Sequence, residues 1–244
     1  MKKVTHIDTE ELFFEEIPDA HFYFFDLAEY QNSADNFSAY LAEDEIKRAG
    51  RYHFKKHREI FIKSRGILRR LLSEYAAVKP AELVFAYNDF GKPHIINRQN
   101  TEDIRFNVSH AEEYFLIGIT YGSEIGVDIE TIRPIPELAG IVESLFHASE
   151  KEKFYLVNEN SRIEAFYRWW TQKEAIGKAV GSGIGFGFNT YSLDFSQTHA
   201  ALDIPPYSGM LSTHRIKDNL IFCSFILKGS AGGPGTRLGP AEKT

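Results

Sequence analysis

Residues 126–130 read Gly-Val-Asp-Ile-Glu, and residues 170–178 read Trp-Thr-Gln-Lys-Glu-Ala-Ile-Gly-Lys. As a strand, the first segment sends Val127 and Ile129 to one face and Asp128 and Glu130 to the other. Carboxylates at i and i+2 then stand roughly 6–7 Å apart, close enough to share a cation. Alone, this pattern is a weak signal that favours an edge strand with one wet face. The second segment adds the discriminating information. Wound at ~100° per residue, Ser161–Val180 gathers Ile163, Phe166, Tyr167, Trp169, Trp170, Ile176 and Val180 into an apolar arc. Glu164, Arg168, Thr171 and Gln172 are expected on the opposite, solvated side. Lys173 and Glu174 fall inside the apolar arc, and Lys178 falls at its edge. A surface Glu174–Lys178 pair, worth ~0.2–0.5 kcal/mol, would belong on the wet face. Ionised groups among aromatics need a partner or a metal, because an unpaired buried charge is costly. Three carboxylates beside lysines suit a hard metal ion handling a phosphate ester.

The chain has 244 residues, 43% of them hydrophobic, enough for one large domain or two small halves. A formal net charge of −6 argues against general nucleic-acid binding. The single cysteine, Cys223, lies in the apolar run Leu220–Leu227 and reads as a small buried hydrophobe. It has no partner for an internal disulfide, so a reducing, cytoplasmic setting is expected. Residues 1–20 are acidic and lack the apolar stretch of a signal peptide, and no segment reaches the length of a membrane span. The Gly- and Pro-rich residues 229–244 read as a disordered tail or a cloning remnant.

Strands are expected at 21–27, Leu83–Tyr87, Ile104–Ser109, Tyr114–Tyr121 and Ile125–Glu130, with a Gly122-Ser123 turn joining the last two as a hairpin. From about Phe37 to Val78 the apolar spacing of Ile60, Ile67, Leu68, Leu71, Leu72 and Tyr75 predicts mostly helix. Ser149 with Glu152, and Ser161 with Glu164, fit capping boxes that begin two further helices. Gly181 and Gly183 stop the longer one. Strands at Gly187–Phe195, Leu211–Lys217 and Leu220–Leu227 complete an α+β chain. Its halves, 1–121 and 122–228, meet near residue 122, and 229–244 is the tail.

Phe106-Asn-Val-Ser-His110 alternates as a strand end, with Asn107 and Ser109 on the face opposite Phe106 and Val108. Gly91-Lys92-Pro93 is a turn carrying one lysine. Lys47 to Arg70 contains ten lysines and arginines against one acid, Glu59. Such a local excess suits an anionic ligand with several phosphates, and Lys55, Lys56, Arg58 and Arg65 are candidates for it.

Gly-Lys-Pro at 91–93, Phe-Asn-Val-Ser-His at 106–110, Gly-Val-Asp-Ile-Glu at 126–130 and Trp-Thr-Gln-Lys-Glu-Ala-Ile-Gly-Lys at 170–178 occur in that order. The series resembles the 4′-phosphopantetheinyl transferases of the surfactin-synthetase-activating (Sfp) type. The similarity runs from about Leu41 to Phe195, with a compatible strand ending near Leu227. It implies two similar α+β halves forming a pseudo-dimer within one chain, with the active site in the cleft between them. It also implies transfer of the phosphopantetheine arm of coenzyme A to a serine hydroxyl of an apo acyl, polyketide or peptidyl carrier protein. Adenosine 3′,5′-bisphosphate is the other product. Through the resemblance, Asp128, Glu130 and Glu174 match magnesium ligands, with Mn²⁺ an alternative. Lys173 and Lys178 match residues near the pyrophosphate, and His110 matches a contact to the ribose 3′-phosphate, here expected to be protonated. Lys92 and Asn107 to Ser109 fall in coenzyme-A-binding segments, and Lys56 and Arg65 match more loosely. Glu174, acting directly or through a metal-bound water, and Glu150 both stand as candidate bases. A monomer is expected, since a pseudo-dimer has less need of a partner subunit. The rival readings are a metal-dependent nucleotide pyrophosphate hydrolase and a non-catalytic coenzyme-A-binding protein.

Overall fold

The computed structural model describes residues 10–12, 20–29 and 34–228. The chain begins with β1 (Glu10–Leu12) and β2 (Ala20–Asp26), followed by α1 (Ala34–Ser38), α2 (Glu43–Ala49) and the long α3 (Lys55–Ala76). A small hairpin, β3 (Phe85–Tyr87) and β4 (Pro93–Ile95), leads to β5 (Ile104–Ala111) and β6 (Tyr114–Tyr121). Then come β7 (Ile125–Thr131), α4 (Leu138–Leu145), α5 (Ala148–Leu156), α6 (Arg162–Val180), β8 (His199–Ile204), β9 (Tyr207–Lys217) and β10 (Leu220–Leu227). Two antiparallel four-stranded sheets result, ordered β1-β2-β6-β5 and β7-β10-β9-β8. They share no strand: the first is drawn wholly from residues before 122 and the second wholly from residues after it.

Strand alternation fixes the layering. Phe22, Phe24 and Leu116 of the first sheet pack against Val127, Ile129 and Phe222 of the second. On the outer face of the first sheet, Tyr23, Phe25 and Ile117 meet Ile67, Leu68 and Leu71 of α3. On the outer face of the second, Cys223 and Phe225 meet Ala175, Ile176 and Ala179 of α6. An aromatic cluster of Phe146, Phe154, Phe166, Trp169 and Phe188 fills the space beside the first half of α6. Apolar burial at roughly 25 cal/mol per Å² drives each of these contacts.

Several sequence expectations change. The mostly helical 37–78 region is divided among three helices, with breaks at 39–42 and 50–54. β6 and β7 are not a hairpin. Both edges of β6 are already taken, by β2 and β5, so the chain passes to the other sheet and β7 pairs with β10. Residues 187–195 form no strand, because their backbone groups bond a buried ion pair instead of a ladder. The α5 cap is His147 with Glu150, whose carboxylate accepts the His147 N–H at 2.9 Å, rather than Ser149 with Glu152. Ser161 sits at the N-cap of α6 but its side chain bonds no backbone group there. Thr171 and Gln172 are fully buried, since the β9–β10 side of the second sheet covers the flank of α6 expected to be wet. Thr171 bonds back to the Tyr167 carbonyl, and the Gln172 amide donates to Gln197 O and Thr213 Oγ1. α4 and β8 carried no expectation. The proposed tail at 229–244 lies outside the described residues, as does most of 1–20.

Candidate active site

The site forms where β5, β7 and α6 meet. α6 lies directly on β7 because residue 126 is glycine. A Cβ there would stand 2.0 Å from Ala175 O and 2.3 Å from Ala179 N, both helix backbone. That close approach brings Glu174 and Lys178, one turn apart on the helix, over the face of β7 that carries Asp128 and Glu130. β5 runs along the free edge of β7 and is joined to it by side chains. Asn107 Oδ1 accepts the Val127 N–H at 3.0 Å, and Ser109 Oγ accepts the Ile129 N–H at 3.3 Å. Asn107 and Ser109 are therefore engaged with β7, where the resemblance had them near coenzyme A.

Asp128 is the buried centre of the cluster. Its Oδ1 accepts from Lys178 Nζ at 2.6 Å and from Ser109 Oγ at 3.0 Å, and Lys178 also reaches Ser109 Oγ at 3.0 Å. Its other oxygen, Oδ2, is buried with no hydrogen-bond partner among the described residues. Glu130 Oε1 accepts the indole N–H of Trp170 at 3.1 Å. Burial, and next the Asp128 charge, push the Glu130 carboxyl up to about 7. Burial and then Asp128 also raise Glu174, against the opposing Lys178. Burial raises Asp128 as well, opposed by Lys178 and Ser109. Three carboxylates repelling one another across a single ammonium are short of positive charge. Among the described residues no group of three or more His, Cys, Asp or Glu side chains lies close enough, as the side chains stand, to hold a metal ion. The residues nevertheless fit a hard divalent cation: the donors are carboxylate oxygens, one of them is buried without a partner, and the local charge favours a cation.

His110, at the end of β5, is solvent-exposed on one side and stacked on Phe115 on the other, ring centroids 4.3 Å apart. Desolvation, then the charges of Lys178 and Arg65, lower its imidazole to about 4. The ring is therefore neutral at neutral pH in the free protein, and a charged ring on a bound phosphate would require proton uptake. It lines a cavity of about 410 Å³ together with Arg48, Tyr52, His57, Arg65 and Glu112. Arg65 is held there by buried Glu45, with Nη2 and Nε at 2.6 and 2.8 Å from Oε1, and by the Tyr87 hydroxyl at 3.2 Å. Lys56 lies on the surface, paired with Glu113 at 2.5 Å, and is not a lining residue. Arg48 and His57 were missed by sequence reading. The basic run contained the signal, but only the fold of α2 against α3 says which members turn inward.

Three expected site residues, Lys173, Glu150 and Lys92, are paired within the protein. Lys173 and Glu150 form a fully buried ion pair, Nζ to Oε1 3.0 Å, with neither side chain exposed. Lys173 also donates to Phe188 O at 2.7 Å and Tyr191 O at 2.6 Å, and its ammonium lies 3.7 Å from the Tyr191 ring centroid. Glu150 further accepts the Leu193 and His147 N–H groups. Each Glu150 carboxylate oxygen accepts a hydrogen bond and neither side chain is exposed, so both are engaged with the protein itself. Burial lowers Lys173 to about 8, with the Glu150 charge opposing. Lys92, expected at coenzyme A, directs its ammonium to Glu124, Ile125 O and Ala179 O.

No described helix is long and apolar enough to cross a membrane. The 4′-phosphopantetheinyl transferase N-terminal family model matches residues 29–120, and the 4′-phosphopantetheinyl transferase superfamily model matches residues 124–207. The 4′-phosphopantetheinyl transferase HetI of Nostoc sp. is 34% identical over 166 residues, 68% of this chain and 70% of that protein. The 4′-phosphopantetheinyl transferase gsp of Aneurinibacillus migulanus is 30% identical over 136 residues, 56% of this chain and 54% of that protein. The 4′-phosphopantetheinyl transferase ffp of Bacillus subtilis is 26% identical over 163 residues, 67% of this chain and 70% of that protein. The two family matches meet at the passage between the sheets, and the second contains Asp128, Glu130, Glu174 and Lys178. The chain belongs to the 4′-phosphopantetheinyl transferase family.

Proposed function

We propose that this chain is an Sfp-type enzyme that transfers the phosphopantetheine group of coenzyme A to a serine hydroxyl of an apo carrier protein. The observation that carries this reading is the grouping of Asp128, Glu130, Glu174 and Lys178 beside a basic cavity. The two sheet-and-helix halves act as a pseudo-dimer in one monomeric chain, with coenzyme A between them. Arg48, His57, Arg65 and His110 receive the adenosine bisphosphate end. Asp128, Glu130 and Glu174 would hold Mg²⁺, which when bound neutralises pyrophosphate charge and lowers the mutual repulsion of the three carboxylates.

In the reaction the serine oxygen forms a bond to the phosphorus that bears pantetheine, and the bridging P–O bond breaks. The electron pair leaves with adenosine 3′,5′-bisphosphate. Lys178, already oriented by Asp128 and Ser109, is placed to offset the negative charge that develops on this leaving group. Glu174 takes the serine proton. The burial of Glu150 in its pair with Lys173 favours Glu174 for this role.

Intact-protein mass spectrometry of an apo carrier incubated with this chain, coenzyme A and Mg²⁺ tests the proposal. A metal-dependent gain of one phosphopantetheine on the carrier serine is expected, and Asp128→Ala should abolish it even at saturating Mg²⁺. Full transfer by Asp128→Ala would sink the metal assignment. Coenzyme A turnover without any carrier would point to a hydrolase.

A further inference from the structure

The β3–β4 hairpin is built as a closed loop whose polar groups face α6. Asn88 Oδ1 accepts the N–H groups of Phe90 and Lys92, at 3.0 and 2.8 Å, while Asn88 N donates to Lys92 O at 3.0 Å. Gly91 takes the left-handed conformation this turn requires, φ 84°. From the loop, Asn88 Nδ2 donates to Gly181 O at 2.8 Å, and Lys92 Nζ donates to Ala179 O at 3.0 Å. Both acceptors lie in the final turn of α6 and its cap, where helix carbonyls lack intrahelical partners. A cation at a helix C-terminus also opposes the helix dipole favourably.

The remaining two N–H bonds of Lys92 go to Glu124 Oε2 at 2.5 Å and Ile125 O at 3.1 Å, at the start of β7. An ammonium has three donors, and here all three are used. Glu124 is itself held by Arg105 Nη1 at 2.7 Å. The same hairpin carries Tyr87, whose hydroxyl takes an Arg65 N–H at the rim of the basic cavity.

We propose that Lys92 is a positioning residue. Its ammonium clasps the last turn of α6 to the start of β7 and so fixes Lys178, the residue before Ala179, against Asp128. The clasp couples the phosphate cavity, through Tyr87 and Arg65, to the reacting end of α6. The kinetic part of this inference rests on the transferase reading above. The structural part does not.

Lys92→Met keeps all but the last heavy atom of the side chain's length and removes its donors. In this variant, hydrogen exchange at the amides of 177–182 should accelerate at least about tenfold, because the last turn loses a carbonyl partner. The amides of α3 serve as the unchanged internal reference. In carrier modification, kcat should fall about tenfold or more through misplacement of Lys178, with KM for coenzyme A changing by less than about twofold. Lys92→Arg, whose fork can still reach two acceptors, should recover part of kcat. Asn88→Asp keeps the Oδ1 acceptor for the Phe90 and Lys92 N–H groups and removes the donor to Gly181 O, and should show the same exchange signature at smaller amplitude if Lys92→Met folds poorly. Unchanged exchange in both variants would overturn the clasp. So would loosened exchange with wild-type kcat, or a raised KM with kcat retained, which would make Lys92 a ligand contact. Wild-type protein that modifies no carrier would reject the transferase reading while leaving the exchange comparison intact.

Discussion

Lys173→Met separates a structural role for the buried pair from the pyrophosphate contact implied by family resemblance. The substitution preserves most of the apolar stem but removes the ammonium that lies over the Trp169 and Tyr191 rings. What goes is one ammonium with three acceptors: Glu150 Oε1, Phe188 O and Tyr191 O. Glu150 remains with no exposed surface and only the backbone donors of His147 and Leu193. Removing one partner of a buried pair costs about 3–5 kcal/mol, and no solvent screening discounts it here. For a chain of this size that corresponds to a fall in Tm on the order of 10 °C. The assay is thermal and urea unfolding of Lys173→Met, Glu150→Gln and the double variant. The double variant should lose clearly less than the sum of the singles, since neither charge is then left alone. A loss below about 1 kcal/mol in Lys173→Met, with weakened coenzyme A binding, would refute the reasoning and return Lys173 to the ligand.

Gly126→Ala should destabilise the chain by about 1–3 kcal/mol and reduce carrier modification more than that loss explains. Its Cβ collides with α6 backbone, which must lift Glu174 and Lys178 from β7; a wild-type Tm would contradict this. Glu130 binds a proton in the folded state up to about pH 7 but in the unfolded chain only up to its ordinary value near 4.5. Metal-free stability attributable to it therefore falls as pH rises through that window. Added Mg²⁺ should raise Tm above pH 7 and much less near pH 5; equal shifts at both pH values would count against carboxylate ligation. His110 is neutral at neutral pH, so a charged ring on the 3′-phosphate requires proton uptake when coenzyme A binds. Calorimetry in buffers of different ionisation enthalpy should detect it, and should find less with 3′-dephospho-coenzyme A or with His110→Ala; no uptake would leave the ring a neutral contact.

Much of the site was legible because its signals are local. Alternation placed Asp128 and Glu130 together on one face of β7, opposite Val127 and Ile129. Helical periodicity set Glu174 and Lys178 one turn apart and flagged both, with Lys173, as charges in the wrong place for a wet face. The apolar spacing of α3 and the strand patterns of β2, β5, β6 and β10 were equally plain. The same periodicity misplaced Thr171 and Gln172, because a wheel describes one helix and cannot know that a sheet covers a second flank.

Which of those misplaced charges reach the chemistry was decided only in three dimensions. Lys173 and Glu174 are adjacent in sequence and leave α6 about 100° apart. One meets Glu150 and the carbonyls of the 188–191 loop, and the other stays with Asp128 and Glu130. Lys92 finds all three of its acceptors more than thirty residues away. β7 leaves β6 for β10 because β6 has no free edge. The sequence by itself determined which residue types share a face, since a backbone repeat depends on neighbours in the chain. The tertiary structure decided which charge is paired internally and which is left for a substrate, because that depends on what packing brings within about 3 Å of each ionised group.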